Sequence, residues 1–183
     1  MKNITLAVTG SISAYKAADL TSELNKLGFH VTVLMTKAAT EFITPLTLQV
    51  LSKNPVSLDI MDEQLPDKIN HIEIAKRTDL LLVVPASANS IAKIANGLAD
   101  NMVTGTILAL PHHVQKVIAP AMNTKMYENP LTQHNIERLI KYGWHVIEPR
   151  ETTLACGDYG TGALATLDTI IKKVKELTYE KTV

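Results

Sequence analysis

Several short stretches of this chain combine residue types that can do chemistry. Gly10-Ser11-Ile12-Ser13 sets two hydroxyls beside a glycine, directly after the apolar run Ile4–Val8. Hydroxyls together with the backbone amides of a helix start bind anions, and this set suits a terminal phosphate monoester. It is not a dinucleotide fingerprint, because G-x-G-x-x-G is absent. Thr36 places another hydroxyl at the end of the run Val31–Met35. Pro85-Ala86-Ser87-Ala88-Asn89 and Pro120-Ala121-Met122-Asn123 each follow an apolar run and each ends in a carboxamide, so two matched turns could serve one ligand. Taken singly, each of these is also an ordinary capped turn. His71, at a helix start before the central run, reads either as a base or as a capping or surface histidine. Cys156, the single cysteine, opens Cys156-Gly157-Asp158-Tyr159-Gly160-Thr161-Gly162, three glycines in six residues after it. A thiol there is badly placed for core duty and well placed on a mobile cover over a site.

The elements that must position these residues alternate. Leu80–Val84 is too short for a buried helix and long enough for a strand covered on both faces. Pro85 is expected to end it. Ile91, Ile94, Ala95 and Leu98 then recur at helical spacing. The same strand, turn, helix order is read at Ile4–Val8 followed by Ala14–Leu27 up to Gly28, and at Val31–Met35 followed by short helices at Thr40–Phe42 and Pro45–Leu51. Val56–Ile60 is expected as a short third strand and Met61–Lys68 as a polar loop. Asn70 is expected to cap the helix that carries His71. Asn101–Leu110 reads as a helix, Val114–Ala119 as a strand, and the segment from Pro130 to Gly143 as a helix. Trp144–Ile147 reads as the last strand and Pro149–Gly162 as a long loop. Thr166 caps a final helix, Leu167–Leu177, before a fraying tail, Thr178–Val183. This alternation predicts one α/β unit with a parallel sheet, and ligands in such sheets bind beyond the carboxyl ends of the strands.

Composition narrows the partners. Among 183 residues, 46% are hydrophobic and 20% charged, which marks a folded chain. Lys+Arg and Asp+Glu both number 18, and only 4% of residues are aromatic, so neither nucleic acid nor an anionic membrane is expected as a partner. One cysteine excludes an internal disulfide and a cysteine-based metal cluster. His112-His113 lie on a turn with no third ligand near in sequence, so no metal is expected. The apolar runs are shorter than the roughly 20 residues of a membrane helix. Met1-Lys2-Asn3 leads straight into a strand without a signal pattern, and a cytoplasmic location is expected.

Together these stretches resemble the homo-oligomeric flavin-containing cysteine decarboxylases. The resemblance rests on Gly10-Ser11-Ile12-Ser13-Ala14-Tyr15-Lys16, His71, Pro85-Ala86-Ser87-Ala88-Asn89, Pro120-Ala121-Met122-Asn123 with Met126, and Ala155-Cys156-Gly157-Asp158, in the family's order. It implies a single-domain Rossmann/flavodoxin-like three-layer sandwich over residues 1–183 with FMN as cofactor. Gly10, Ser11, Ser13 and Thr36 would hold the FMN phosphate and ribityl region. Ser87, Ala88 and Asn89 would face the flavin, with Ala121 and Met122 beside the ring or the substrate. It also implies a homo-oligomer, a trimer or a multiple of trimers, with His71 reaching the site from a neighbouring chain.

Within that family, the Cys-Gly-Asp loop resembles the substrate clamp of members acting on 4′-phosphopantothenoylcysteine in coenzyme A biosynthesis. The implied reaction releases CO2 through thioaldehyde and aminoenethiol intermediates and yields 4′-phosphopantetheine. By resemblance His71 is the base or proton relay, Asn123 binds the departing carboxylate, and Cys156 supplies a proton as the enethiol is reduced. Met126, Ala155, Gly157 and Asp158 would contact the substrate. Peptidyl-cysteine decarboxylases lack this cysteine and flavin prenyltransferases lack the same constellation. A silent flavin-binding regulatory subunit has no chemical need for His71, Asn123 and Cys156 together. Two departures stand out: Tyr127 where many members carry Trp, and Ala163-Leu164-Ala165-Thr166 where fused bacterial members carry Gly-Arg-Met-x-Glu. The second leaves the clamp without an arginine for the substrate phosphate. Ending at Val183, the chain resembles the stand-alone form with no fused synthetase.

Overall fold

The computed structural model describes residues 2–61 and 69–179. The expected loop Met61–Lys68 therefore lies outside the described residues except for Met61, as do residues 180–183 of the expected tail. Five strands, β1 (Asn3–Val8), β2 (His30–Met35), β3 (Leu80–Ala86), β4 (Gln115–Pro120) and β5 (Trp144–Val146), form a wholly parallel sheet in the order β2-β1-β3-β4-β5. That order is the flavodoxin-like one, with the chain reversing direction across the sheet between β1 and β3.

Alternation along the strands feeds two cores. Ile4, Leu6 and Val8 join Leu82 and Val84 on one face, under α1 (Lys16–Lys26), α2 (Pro45–Ser52) and α8 (Leu167–Tyr179). Ala7, Leu81, Val83 and Ile118 face the other way, against α3 (Asn70–Arg77), α4 (Ala88–Ala95), α5 (Met102–Leu108) and α7 (Pro130–Lys141). With helices on both faces every residue of β3 is buried, which is why its sequence is a continuous apolar run.

Several boundaries differ from the sequence expectations. Pro85 lies inside β3, not after it. The β3–β4 register shifts between Val83 and Ala86, and a proline without a donor is tolerated at such an irregularity. Val56–Ile60 forms no strand, and only Ser57 bridges β2, its N–H donating to Val33 O and its O accepting from Met35 N, both at 3.1 Å. Ile60 instead packs on the second core. Asn70 is the first helical residue, with Ile69 at the cap. The helix α4 stops at Ala95, because Gly97 turns the chain at φ +69°, leaving Leu98 in solvent. Thr178 belongs to α8, which runs to Tyr179, where the ring packs against Phe29. A short helix, α6 (Thr124–Glu128), follows Asn123.

The largest correction concerns residues 149–162. Trp144–Val146 is not the last strand: β6 (Arg150–Thr153) and β7 (Tyr159–Ala163) pair antiparallel as a separate two-stranded sheet. Its β6 strand is polar and mostly exposed, so it lacks the apolar alternation that marks a half-buried strand.

Candidate active site

The strand outlets are fastened to one another by side chains placed at their ends. Thr9, fully buried after β1, donates its hydroxyl to Pro85 O at 2.7 Å and accepts from the Ser87 N–H at 2.9 Å. This joins the β1 and β3 outlets. Gly10 follows, and a Cβ there would lie 2.6 Å from the Cβ of Ala38, so only glycine lets the turns after β1 and β2 come this close. Ser11 caps a short 3-10 turn, Ile12–Tyr15, by accepting from the Ser13 N–H at 3.3 Å, and donates to Ala121 O at 3.2 Å. Thr36 caps the next 3-10 turn by accepting from the Ala39 N–H, and Ser87 caps α4 by accepting from the Ser90 N–H, each at 3.3 Å. The Ser11, Thr36 and Ser87 hydroxyls that the sequence marked are therefore helix caps and cavity walls at once.

These outlets enclose a cavity of about 850 Å³. It is lined by Gly10, Ser11, Ser13 and Thr36, by Ser87, Ala88 and Asn89, and by Ala121, Met122, Asn123 and Met126, the Ser11 and Ala121 turns meeting through their 3.2 Å bond. Ala155 and Cys156 reach it from the hairpin. Thus four strand outlets and the glycine-rich segment meet in one place. Among the described residues, Lys16, Lys37, Lys93 and Arg150 also line the walls, with Asp100 the one acid beside them, a balance that suits a phosphorylated ligand. Residue type alone does not mark these five, because charged side chains are ordinarily solvated. The ion pair from Lys93 Nζ to Asp100 Oδ2 is 2.5 Å long and, chiefly through that hydrogen bond, holds the Asp100 carboxyl below its usual range. Arg150 reaches the cavity wall from β6, its Nε donating to Leu164 O at 3.0 Å.

At the rim three side chains close a triangle. Asn123 Nδ2 donates to Cys156 Sγ and to Asp158 Oδ2, both at 3.3 Å, and the thiol lies 3.5 Å from the same carboxylate oxygen. The amide orientation is fixed from the other side, since Asn123 Oδ1 accepts from the Lys125 N–H at 2.9 Å as the cap of α6. The hairpin tip is braced by backbone bonds from the Leu154 N–H to Asp158 O at 2.8 Å and from the Gly157 N–H to Leu154 O at 2.9 Å. Gly157 takes φ +90° there. The hairpin is tied to the β4 outlet by the Met122 N–H donating to Gly162 O at 2.9 Å, and a Cβ on Gly162 would strike Met122 O.

Tyr127, half-buried against the second core beside Met126, donates its hydroxyl to Glu148 at 2.6 Å. Burial first, then this carboxylate, push its pKa up to about 12. His71 is not among the residues lining the cavity. It sits half-buried near the start of α3, which packs on α5, and a Cβ on Gly105 would lie 3.9 Å from its Cδ2.

The cavity fits a flavin mononucleotide. Its volume is in the range of cofactor sites of about 300–1,000 Å³. Hydroxyl and amide donors, lysines, and the small or apolar residues Ala88, Ala121 and Met122 line the same space, the mixture that a phosphate and a flat ring together require.

Known proteins resemble this chain in sequence and fold. A probable phosphopantothenoylcysteine decarboxylase of Streptococcus mutans is 63% identical over 175 residues, covering 96% of this chain and 98% of that protein. The coenzyme A biosynthesis bifunctional protein CoaBC of Bacillus subtilis is 45% identical over 99% of this chain, which spans 44% of that longer protein. Among solved structures, a PPC decarboxylase mutant complexed with pantothenoylaminoethenethiol superposes with a TM-score of 0.87 at 34% identity, covering 98% of this chain and 99% of that one. The FMN binding protein AtHal3 gives a TM-score of 0.85 at 33% identity over 100% of this chain and 99% of its own. The sequence pattern of the Flavoprotein family matches residues 1–179, and with strand outlets folded into a flavin-sized cavity, the chain belongs to that family.

Proposed function

We infer that this chain is an FMN-dependent decarboxylase that converts 4′-phosphopantothenoylcysteine to 4′-phosphopantetheine and CO2 in coenzyme A biosynthesis. The observation that carries this reading is the meeting of Asn123, Cys156 and Asp158 at the mouth of a cavity built from strand outlets. Names borne by similar proteins supply the substrate class.

The residues assigned to FMN are Gly10, Ser11, Ser13 and Thr36 for its phosphate and ribityl chain, and Ser87, Ala88, Asn89, Ala121 and Met122 for its ring. When bound, FMN would supply a reversible two-electron acceptor, taking two electrons from the substrate's cysteine moiety before CO2 leaves and returning them as hydride afterwards, so that the overall reaction is redox-neutral. The chain's own residues do the rest. Asn123 presents two N–H donors, held in direction by its cap to Lys125, and these orient the substrate carboxylate. The Cys156 thiol stands beside that position and delivers a proton to the carbon skeleton after CO2 has left. Ala155, Gly157 and Met126 shape the cover over the reacting atoms and keep water away.

His71 serves as base in this reading. Since it stands on α3 away from its own chain's cavity, the reading includes a homo-oligomer, a trimer or a multiple of one, in which His71 completes a neighbouring site. It also takes residues 1–183 to work as one decarboxylase domain in the cytoplasm. Among the described residues no helix is long and apolar enough to cross a membrane.

The test is direct. Purified protein loaded with FMN should show a flavin spectrum and release CO2 from 4′-phosphopantothenoylcysteine, with 4′-phosphopantetheine identified by mass. Flavin binding without CO2 release from this substrate would overturn the assignment while leaving the family intact.

A further inference from the structure

Asn123 Nδ2 already has acceptors in the chain as folded. It donates to Cys156 Sγ and to Asp158 Oδ2, each at 3.3 Å, while Oδ1 is held by the Lys125 N–H. A substrate carboxylate that binds Asn123 therefore competes with an acceptor already in place. Asp158 is the chemically equivalent one, a carboxylate oxygen on the same donor.

We propose that Asp158 is an internal stand-in for the substrate carboxylate: it occupies that group's position on Asn123 in the free enzyme, yields it on binding, and returns when CO2 departs. The proposal rests on the decarboxylase reading above, in which Asn123 receives the carboxylate.

Three features make the exchange feasible. Asp158 is exposed, so its carboxylate swings into water without a burial cost. The tip is held by backbone bonds at Leu154, Gly157 and Asp158, so the side chain rotates without the hairpin coming apart. The donor keeps an acceptor throughout, because one carboxylate replaces another. The exchange also sets specificity. A ligand lacking the carboxylate has nothing with which to displace Asp158, so substrate and decarboxylated product differ in whether they compete with it.

The experiment measures KM for 4′-phosphopantothenoylcysteine by CO2 release, and Ki for 4′-phosphopantetheine, in FMN-loaded wild type, Asp158→Ala and Asp158→Asn. Removing an exposed competing acceptor should lower KM in Asp158→Ala roughly three- to fivefold, with Ki for the product unchanged. Asp158→Asn, uncharged but still an acceptor, should fall between, and it serves as the second variant if the alanine protein folds poorly. A KM that is unchanged or raised overturns the proposal, as does a parallel change in KM and Ki, which would mean that Asp158 only shapes the hairpin. Absence of CO2 release by the wild type would instead overturn the decarboxylase reading itself.

Discussion

The Ser87 N–H donates to the Thr9 hydroxyl at 2.9 Å, across 78 residues of chain, and the same hydroxyl donates to Pro85 O. A buried threonine thus acts as the rivet between the β1 and β3 outlets, on which two cavity walls depend. Thr9→Val keeps the shape and removes both bonds, leaving a backbone donor and acceptor without this partner. The expected cost is about 1–3 kcal/mol in a denaturant melt, together with weaker FMN binding by fluorescence titration. Thr9→Ser should recover most of both.

Cys156→Ser should still release CO2 but should accumulate a product lacking two hydrogens relative to 4′-phosphopantetheine, seen by mass spectrometry. Normal 4′-phosphopantetheine formation by this variant would remove Cys156 from the reductive half of the reaction. Asn123→Ala should lower CO2 release itself, by roughly 10²-fold or more if its donors orient the reacting carboxylate.

Gly162→Ala tests how the hairpin is seated. The added methyl meets a backbone oxygen, Met122 O, which cannot rotate away. We expect a loss of about 1–3 kcal/mol and a hairpin displaced from the β4 outlet. Turnover should fall while the flavin spectrum persists, since the residues assigned to FMN lie mainly on the main sheet's outlets.

A mixture of His71→Asn and Asn123→Ala proteins, each strongly impaired alone, should regain activity after subunits exchange if His71 completes a neighbour's site. Light scattering would report the assembly. No recovery in a mixed oligomer would place His71 outside the shared site.

Tyr127 gives a pH signature. Its folded pKa, about 12, lies above the ordinary 10.0, so the folded state retains a proton that the unfolded state loses between these values. Its contribution is full below pH 10 and is lost as pH rises towards 12. Tyr127→Phe should therefore flatten the decline of stability over that interval in alkaline melts.

Much of this architecture could be read from residue order. Leu80–Val84 announces a strand covered on both faces because it is apolar throughout, Ile4–Val8 does so with Thr5 as its one polar residue, bonded to Thr78 at 2.7 Å, and Ser11, Thr36 and Ser87 announce their caps by residue type. Thr9 is different: at the end of a β-branched run it looks like one more strand residue, and its role exists only once residues 85 and 87 are beside it. The hairpin was hidden for a related reason. Glu151-Thr152-Thr153 pairs with Tyr159-Gly160-Thr161 at the rim instead of over the core, so no hydrophobic pattern marks it. The meeting of Asn123 with Cys156 and Asp158, spanning 33 and 35 residues, follows from that hairpin and from no local rule.

The two-stranded hairpin shares no strand with the five-stranded sheet. Its ties to the rest include the Met122 N–H to Gly162 O bond at the β4 outlet. It is a plug-in module: residues 154–158 could be rewritten to alter which group attacks, protonates or shields the bound molecule, while the scaffold beneath keeps its shape. New chemistry on this frame is a matter of grafting one fingertip.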